Sequence, residues 1–126
     1  MNSGKYVLDT NFILEYLKGA AAPVHFLATK DEPELYVSDI TRLELFSFPP
    51  LDDAEKNRIS DFLEHVEIHP VTEAVGDMAI AFRKATRRKL PDSIIAATAI
   101  HLGAVLVTSD EELLASSFQG LSVAHP

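Results

Sequence analysis

Short strand-forming runs alternate with helical patterns along this chain, and that alternation restricts its fold more than any other feature. The runs are rich in Val, Leu and Ile and lie at residues 5–9, 34–38, 66–71, 104–108 and 121–124. Helical patterns fill the intervals between them. Strands that alternate with helices form a mainly parallel sheet with helices on both faces. The sequence therefore predicts an α/β fold of three layers built around a five-stranded sheet.

Several helices can be predicted from individual residues. Residues 53–65 carry apolar side chains at helical spacing, which is the pattern of a half-buried helix. Asp39 and Thr72 are suited to helix N-caps, because their side-chain oxygens can accept hydrogen bonds from free backbone amides. Ser109 and Glu112 have the spacing of a capping box, in which Glu112 would be structural.

The composition is that of one globular domain spanning residues 1–126. Hydrophobic residues make up 47% and charged residues 24% of the chain, as in ordinary folded domains. Cysteine is absent, which excludes disulfides and thiolate metal sites. Residues 48–53 contain two prolines and are expected to form a loop. The most apolar window, residues 94–100, is too short for a bilayer, and no signal peptide is visible; we expect a soluble cytoplasmic protein with no membrane partner.

Four acidic residues lie where the predicted fold would bring them together. Asp9 and Asp110 each follow a predicted strand, and Glu44 lies on a helix beside them. Asp92 opens the apolar segment 93–102, which should be a buried helix. In an open parallel sheet, binding sites form at the carboxyl ends of the strands. Taken singly, each acid has a structural alternative as a helix cap, a first-turn residue or a surface carboxylate; their conjunction predicts a shared pocket.

The donor atoms of this group indicate a metal. Four carboxylates cannot stay ionised together without a cation, since like charges raise each other's pKa. All are hard oxygen donors, and no suitably placed His joins them, so the set suits Mg²⁺ or Mn²⁺ rather than zinc. One or two such ions would hydrolyse a phosphodiester by polarising the phosphate and activating water. A Ser–His or Cys–His nucleophile is then not required.

Basic residues are concentrated just before the third acid of the group. Two i, i+4 pairs are formed by Arg83 with Arg87 and by Lys84 with Arg88, which predicts one cationic edge on a helix. The structural alternative is a solvated face that complements the helix C-terminus. The functional interpretation is contact with a phosphate backbone beside the acidic pocket, which Arg42 could join. The formal net charge of -8 argues only against a broad electropositive surface.

These motifs together resemble those of the PIN-domain nucleases, and in particular the VapC-type toxins of toxin–antitoxin systems. The resemblance covers nearly the whole chain and is carried by the segments YVLDTNFIL, TRLELF, LPDSIIAATA and LVTSDEEL. It implies a PIN-like three-layer α/β/α fold with an acidic pocket that binds Mg²⁺ or Mn²⁺. It also implies endonucleolytic cleavage of RNA, a homodimer, and a partner antitoxin that blocks the active site.

The resemblance assigns roles to particular residues. It makes the four acids both catalytic and metal-binding; these are Asp9, Glu44, Asp92 and Asp110. Asn11 of LDTN and Thr108 of LVTSD correspond to polar positions that shape the pocket. Many relatives carry a further Asp followed by Phe after the last motif, where this chain has Glu111, Glu112 and Leu113. Glu112 is the candidate substitute at that place.

Other interpretations remain open. A catalytically inert PIN-like module that only binds proteins would have the same fold, but its acids would bind divalent metal weakly or not at all. A phosphatase of the haloacid dehalogenase type would use an Asp after a strand, as in LDTN, but it expects a second Asp where this chain has Asn11. A phospho-accepting receiver domain expects a lysine after a late strand, and LVTSDEE offers none.

Overall fold

A central parallel sheet organises the molecule. The computed structural model describes residues 4–47 and 50–126, so residues 48 and 49 of the predicted loop lie outside the description. Its strands are β1 (Lys5–Leu8), β2 (Glu34–Ser38), β3 (Glu67–His69), β4 (Val105–Val107) and β5 (Ser122–Ala124). Each neighbouring pair is parallel, and the strand order is β3-β2-β1-β4-β5. The predicted five-stranded parallel sheet is confirmed.

Helices connect successive strands, as parallel pairing requires. Within the described residues they are α1 (Thr10–Leu17), α2 (Ala21–Ala28), α3 (Asp39–Ser47), α4 (Asp53–Leu63), α5 (Glu73–Thr86), α6 (Leu90–Leu102) and α7 (Glu111–Ala115). Two helices form each of the first three connections, and α7 alone joins β4 to β5. In the part of the chain that the structure describes, no helix has both the length and the apolar character needed to cross a membrane.

The two faces of the sheet bury separate hydrophobic clusters. Successive residues of a strand point to opposite faces, so the adjacent residues Val7 and Leu8 enter different clusters. Val7 lies in the cluster that contains Phe82 of α5, together with residues of α6 and α7. Leu8 lies in the cluster of Phe12 of α1 and Ile59 of α4, together with α2. The predicted three-layer α/β/α arrangement is therefore confirmed.

Helix α6 packs deeply because its side chains are small. Ala96, Ala97 and Ala99 are 0% exposed, and alanine allows the helix axis to approach its neighbours closely. The helix ends at Gly103, whose φ of 65° is in the left-handed region that glycine adopts without steric cost. This packing brings the first turn of α6, with Asp92, to the edge of the sheet where β1 and β4 end.

The N-terminus of α3 differs from the prediction. Asp39 is the first helical residue rather than the cap. The Ser38 hydroxyl accepts the Ile40 amide at 3.2 Å, while Asp39 pairs with Arg42 one turn later, at 2.5 Å. Thr72 caps α5 as predicted, because its hydroxyl accepts a first-turn amide of that helix.

Candidate active site

A cleft of about 580 Å³ opens where β1 and β4 end. Its lining combines predicted site residues with further charged side chains: Asn11, Glu44, Asp92, Asp110, Arg87, Arg88, Lys89 and Glu112. Asp9 is buried beside this lining, with only 8% of its surface exposed. The fold therefore brings together the four acids that are separated by up to a hundred residues in the sequence.

Asp9 is both a helix cap and a member of the acidic group. Its Oδ1 accepts the Phe12 amide at 2.8 Å, which caps α1 and orients the carboxylate. Burial raises the pKa of Asp9, and the charges of Asp92 and Asp110 raise it further. The Thr108 hydroxyl and the Phe12 amide lower this pKa without cancelling the increase. Asp9 is therefore a helix cap that also lies close to other acids of the group.

Asp110 caps the helix that follows β4. Its Oδ1 accepts the amides of Glu112 at 2.9 Å and Leu113 at 3.2 Å. Its own amide donates to the buried Thr108 Oγ1 at 3.0 Å, which gives Thr108 a direct part in shaping this turn. The predicted capping box is therefore wrong, because Asp110 rather than Ser109 is the cap. The side chain of Glu112 is therefore not part of a capping box, and it borders the cleft.

Glu44 enters the cleft from α3 through a chain of hydroxyls. Its Oε1 accepts the Thr10 hydroxyl at 2.6 Å, and Thr10 Oγ1 lies 3.2 Å from Thr41 Oγ1. A hydroxyl has one proton, so if Thr10 donates to Glu44 then Thr41 donates to Thr10. Thr10 is 8% and Thr41 0% exposed. These contacts hold Glu44 partly buried and turned toward the cleft rather than toward bulk solvent.

Thr10 and Thr41, which hold Glu44 in place, were not among the site residues predicted from the sequence. Thr10 is part of the LDTN motif, whose other two polar residues were predicted to form the pocket. Thr41 precedes Glu44 by three residues, a spacing that places both on one helical face. The three-residue spacing of Thr41 and Glu44 was the signal from which a polar role for Thr41 beside Glu44 could have been predicted.

Arg88 lies among the carboxylates, where the sequence predicted contact with RNA. Its Nη2 donates to Asp92 Oδ2 at 3.0 Å and to Asp110 Oδ2 at 2.5 Å. Its Nη1 donates to Glu112 Oε1 at 2.8 Å. Burial by itself would raise the pKa of Asp110, but the amides of α7 and the Arg88 guanidinium lower it. Burial would likewise lower the pKa of Arg88, and the carboxylates reverse this effect.

The predicted single cationic edge does not form. Helix α5 ends one residue before Arg87, which takes the left-handed conformation with φ of 61°. The chain turns there, so Arg88 no longer follows the helical face of Lys84. Arg83 and Lys84 line a neighbouring cleft of about 450 Å³, and Arg87 borders both clefts. Arg83 also donates from Nε to the backbone oxygen of Arg88 at 3.2 Å, which braces the turn.

The predicted residues Asn11 and Arg42, and Lys89, which was not predicted as a contact, differ in whether they border the acidic cleft. Asn11 is exposed on the first turn of α1 and borders the acidic cleft. Arg42 is held by Asp39 through two contacts of 2.5 and 3.2 Å, and it is not part of the lining described above. Lys89, directly before α6, borders the cleft with an exposed side chain. The basic rim of the acidic cleft is thus formed by Arg87 and Lys89.

The donor chemistry fits a divalent ion, although the present side-chain positions do not coordinate one. Four carboxylates belong to the group, and all supply the oxygen ligands that Mg²⁺ and Mn²⁺ prefer. One guanidinium carries a single positive charge and cannot neutralise four carboxylates. Across residues 4–47 and 50–126, no three His, Asp or Glu side chains converge closely enough to hold a metal. Arg88 instead acts as the cation that Asp92 and Asp110 share.

Comparison with known proteins gives one family and many similar folds. A family model described as PIN domain matches residues 6–118. No curated protein sequence matches the chain significantly. VapBC2 from Rickettsia felis, bound to a DNA fragment from its promoter, is a similar solved structure with a TM-score of 0.80 and 19% identity. The match covers 97% of this chain and 98% of that chain.

Two further solved structures are similar to the chain. A toxin–antitoxin complex from Klebsiella pneumoniae matches with a TM-score of 0.79 and 24% identity, over 92% of this chain and 94% of that chain. FitAcB from Neisseria gonorrhoeae matches with a TM-score of 0.66 and 26% identity, over 94% of this chain and 95% of that chain. These likenesses agree with the fold described above along almost the full length of the chain.

Proposed function

Because the chain belongs to the PIN-domain family, we propose that it is a nuclease that cleaves RNA with Mg²⁺ or Mn²⁺. One observation carries the proposal: the fold places the buried Asp9 beside a cleft that is lined by Glu44, Asp92 and Asp110. Such a group is favourable only beside a cation, and its oxygen donors suit these two ions. Membership of this family also argues against the phosphatase and the receiver domain as alternatives.

The acids have separate parts in this proposal. One or two ions would be held, directly or through water, by Asp9, Glu44, Asp92 and Asp110. When bound, such an ion supplies positive charge against the negative charge that develops on a phosphate under attack. Asp9 is kept in one orientation by the Phe12 amide, and Glu44 by the Thr10 hydroxyl. Glu112 borders the same cleft and is a further candidate ligand.

The basic rim supports a nucleic-acid substrate. Arg87 and Lys89 border the acidic cleft on one side, so a phosphate backbone could contact them while one phosphate lies beside the acids. Arg83 and Lys84 line the adjoining cleft and would extend this contact along the strand. Basic residues grouped locally in this way are compatible with a net charge of -8, since phosphate contacts depend on nearby charges within about 10 Å at 0.1 M salt.

We extend the proposal to a toxin of a toxin–antitoxin pair. The support is the likeness to solved structures that are named as VapBC2 and as a toxin–antitoxin complex. In this pair, a partner protein would cover the acidic cleft and keep the nuclease silent. A homodimer is part of the same proposal.

The test is RNA cleavage by the purified protein, freed of any partner, in the presence of Mn²⁺. Asp9→Asn is a suitable control because Asn caps a helix as well as Asp does, so the variant should fold while losing a charged ligand. We expect the wild type to cut RNA that the variant leaves intact. Equal cleavage by both, or cleavage that persists in excess chelator, would overturn the proposal.

An inert PIN-like binding module makes a different prediction about metal. Calorimetric titration with Mn²⁺ separates the two, using wild type and Asp92→Asn. A nuclease should give binding heat that the variant reduces. Equal and negligible heats in both proteins would favour the inert module.

A further inference from the structure

Three acidic side chains from two parts of the chain converge on the guanidinium of Arg88. Asp92 belongs to the first turn of α6, Asp110 follows β4, and Glu112 belongs to α7. Their contacts with Arg88 are 3.0, 2.5 and 2.8 Å long. The Arg88 side chain is 13% exposed. This guanidinium is therefore a cation held inside the acidic group, and it is not a solvated side chain at its rim.

The oxygens that hold Arg88 are those a metal would need. Oδ1 of Asp110 is engaged by two backbone amides of α7, at 2.9 and 3.2 Å. The other oxygen of that carboxylate, Oδ2, accepts Nη2 of Arg88. The same nitrogen contacts Oδ2 of Asp92. A metal ion that takes these two inward oxygens would therefore compete with Arg88 for them.

The main chain at Arg88 has hydrogen bonds of its own, separate from those of the side chain. Its amide donates to the Thr86 hydroxyl at 3.3 Å, and its carbonyl accepts from Arg83 Nε at 3.2 Å, so the main chain is anchored independently of the carboxylates. Within the described residues, its buried Nε has no hydrogen-bond partner. Apart from packing, the position of the guanidinium thus depends on the three carboxylates.

We propose that Arg88 is the site's own counter-cation, and that a divalent ion binds the cleft by displacing it. The inference rests on the proposed function, because it concerns the ion that the nuclease would use. Two cations repel each other at contact distance, so the guanidinium and the ion exclude each other from the same oxygens. Arg88 is then a positioning residue that keeps Asp92 and Asp110 together until the metal arrives.

A pair of charge-matched variants tests the exchange. Arg88→Gln and Arg87→Gln each remove one positive charge from adjacent positions on the cleft, but the contacts with Asp92 and Asp110 are made by Arg88. In calorimetric titrations with Mn²⁺, we expect Arg88→Gln to bind about tenfold or more tightly than the wild type, because the competitor is gone. We expect Arg87→Gln to change the affinity less than about threefold, the effect of a nearby charge alone.

Thermal unfolding with and without Mg²⁺ separates displacement from a merely structural ion pair. Without metal, Arg88→Gln should melt below the wild type, because the carboxylates lose their counter-cation. In saturating Mg²⁺, this deficit should vanish. An ion pair that coexists with the metal would keep the same deficit in both conditions, and that result would overturn the inference.

A measurement on the wild type makes the test independent of whether the variants fold. The ¹H–¹⁵N signal of Arg88 Nε should shift or broaden in step with Mg²⁺ binding, and an unchanged signal at saturation would overturn the inference. If Mn²⁺ binds the wild type and Arg88→Gln equally, the inference fails while the proposed function stands. If Mn²⁺ binds neither protein, both fail.

Discussion

Leu8 and Asp9 are neighbours in the chain, yet they belong to regions with opposite electrostatic character. Leu8 lies in a hydrophobic layer where every member is stabilised by its neighbours, and it is 0% exposed. Asp9 is almost as deeply buried, at 8%, but its carboxylate faces the charges of Asp92 and Asp110. The hydrophobic layer is therefore stable by itself, whereas the acidic cleft reaches a favourable state only with a cation.

The hydrophobic layer is organised by aromatic rings. Phe12 and Phe26 have ring centroids 6.0 Å apart at an interplanar angle of 81°. Tyr6 meets Phe26 edge-on at 5.5 Å and 89°. Such perpendicular contacts are favourable beyond the area that they bury. Because these rings pack below α1, they also hold the helix whose cap is Asp9.

The largest effect should follow from breaking the hydrophobic layer. Phe12→Ala removes a ring that is 2% exposed and should cost about 3–5 kcal/mol of unfolding free energy, out of a total of about 5–15 kcal/mol for an ordinary domain. Urea denaturation measures the loss. Phe46→Ala is the control, since this residue is 39% exposed and the loss of its partly buried side chain should cost clearly less. Equal losses in the two variants would contradict this account of the core.

The next effect should separate catalysis from stability. Asp92→Asn removes a charge from the cleft but keeps the shape of the side chain, so RNA cleavage with Mn²⁺ should fall by about a hundredfold or more. The midpoint of thermal unfolding should stay close to that of the wild type. Asp77→Asn is the matched control, because Asp77 is an exposed residue of α5 and should leave cleavage unchanged. A loss of cleavage that tracks a loss of folded protein would count against a catalytic role.

A smaller effect should appear in the pH dependence of the metal-free protein. The pKa of Asp9 is raised in the folded state, so its ionisation weakens the fold as pH rises through that pKa. Asp9→Asn keeps the helix cap and removes the charge. At neutral pH the variant should therefore melt above the wild type, and the gain should fade as pH approaches the ordinary value of 3.8. A gain that is independent of pH would refute this explanation.

The pH dependence of stability that we expect from Asp110 is opposite to that expected from Asp9. Its pKa is lowered, which means that its charge stabilises the fold above the ordinary pKa of 3.8. This stabilisation is lost as pH falls through the folded-state pKa. Asp110→Asn should thus melt below the wild type at neutral pH, and the deficit should shrink in acid. Two acids of one cleft would then respond oppositely to the same substitution.

The two regions also differ in how well the sequence predicts them. The hydrophobic pattern of residues 53–65 predicts α4 to within two residues, because helix burial leaves a local periodic signal. The acids were found for a related reason, since strand ends can be recognised and the carboxyl ends of parallel strands meet at one edge of the sheet. Features that leave a local signal in the sequence, such as a periodic helix pattern or the end of a strand, were therefore predictable.

The arrangement of charges inside the cleft was not predictable in the same way. The contacts of Arg88 with Asp110 and Glu112 span 22 and 24 residues, and no periodic pattern reports such pairs. The left-handed turn at Arg87 moves Arg88 off the helix, although Arg is not a residue type that signals such a turn. Ser109 was the predicted cap of α7, whereas the structure makes the next residue, Asp110, the cap.

The smallest effect should come from the basic rim, where charges act on a substrate through solvent. Replacing Lys89 by Gln should weaken binding of a single-stranded oligoribonucleotide a few-fold. It should also reduce the slope of log affinity against log salt by about 0.7 if one phosphate contact is lost. Lys56→Gln, an exposed change on α4, should leave affinity and slope unchanged. Lys89 lies at the rim and, unlike Arg88, is not proposed to be displaced by metal. The effect of its replacement on RNA binding should therefore be the same with and without Mg²⁺. A metal-dependent effect would instead place Lys89 within the acidic group itself.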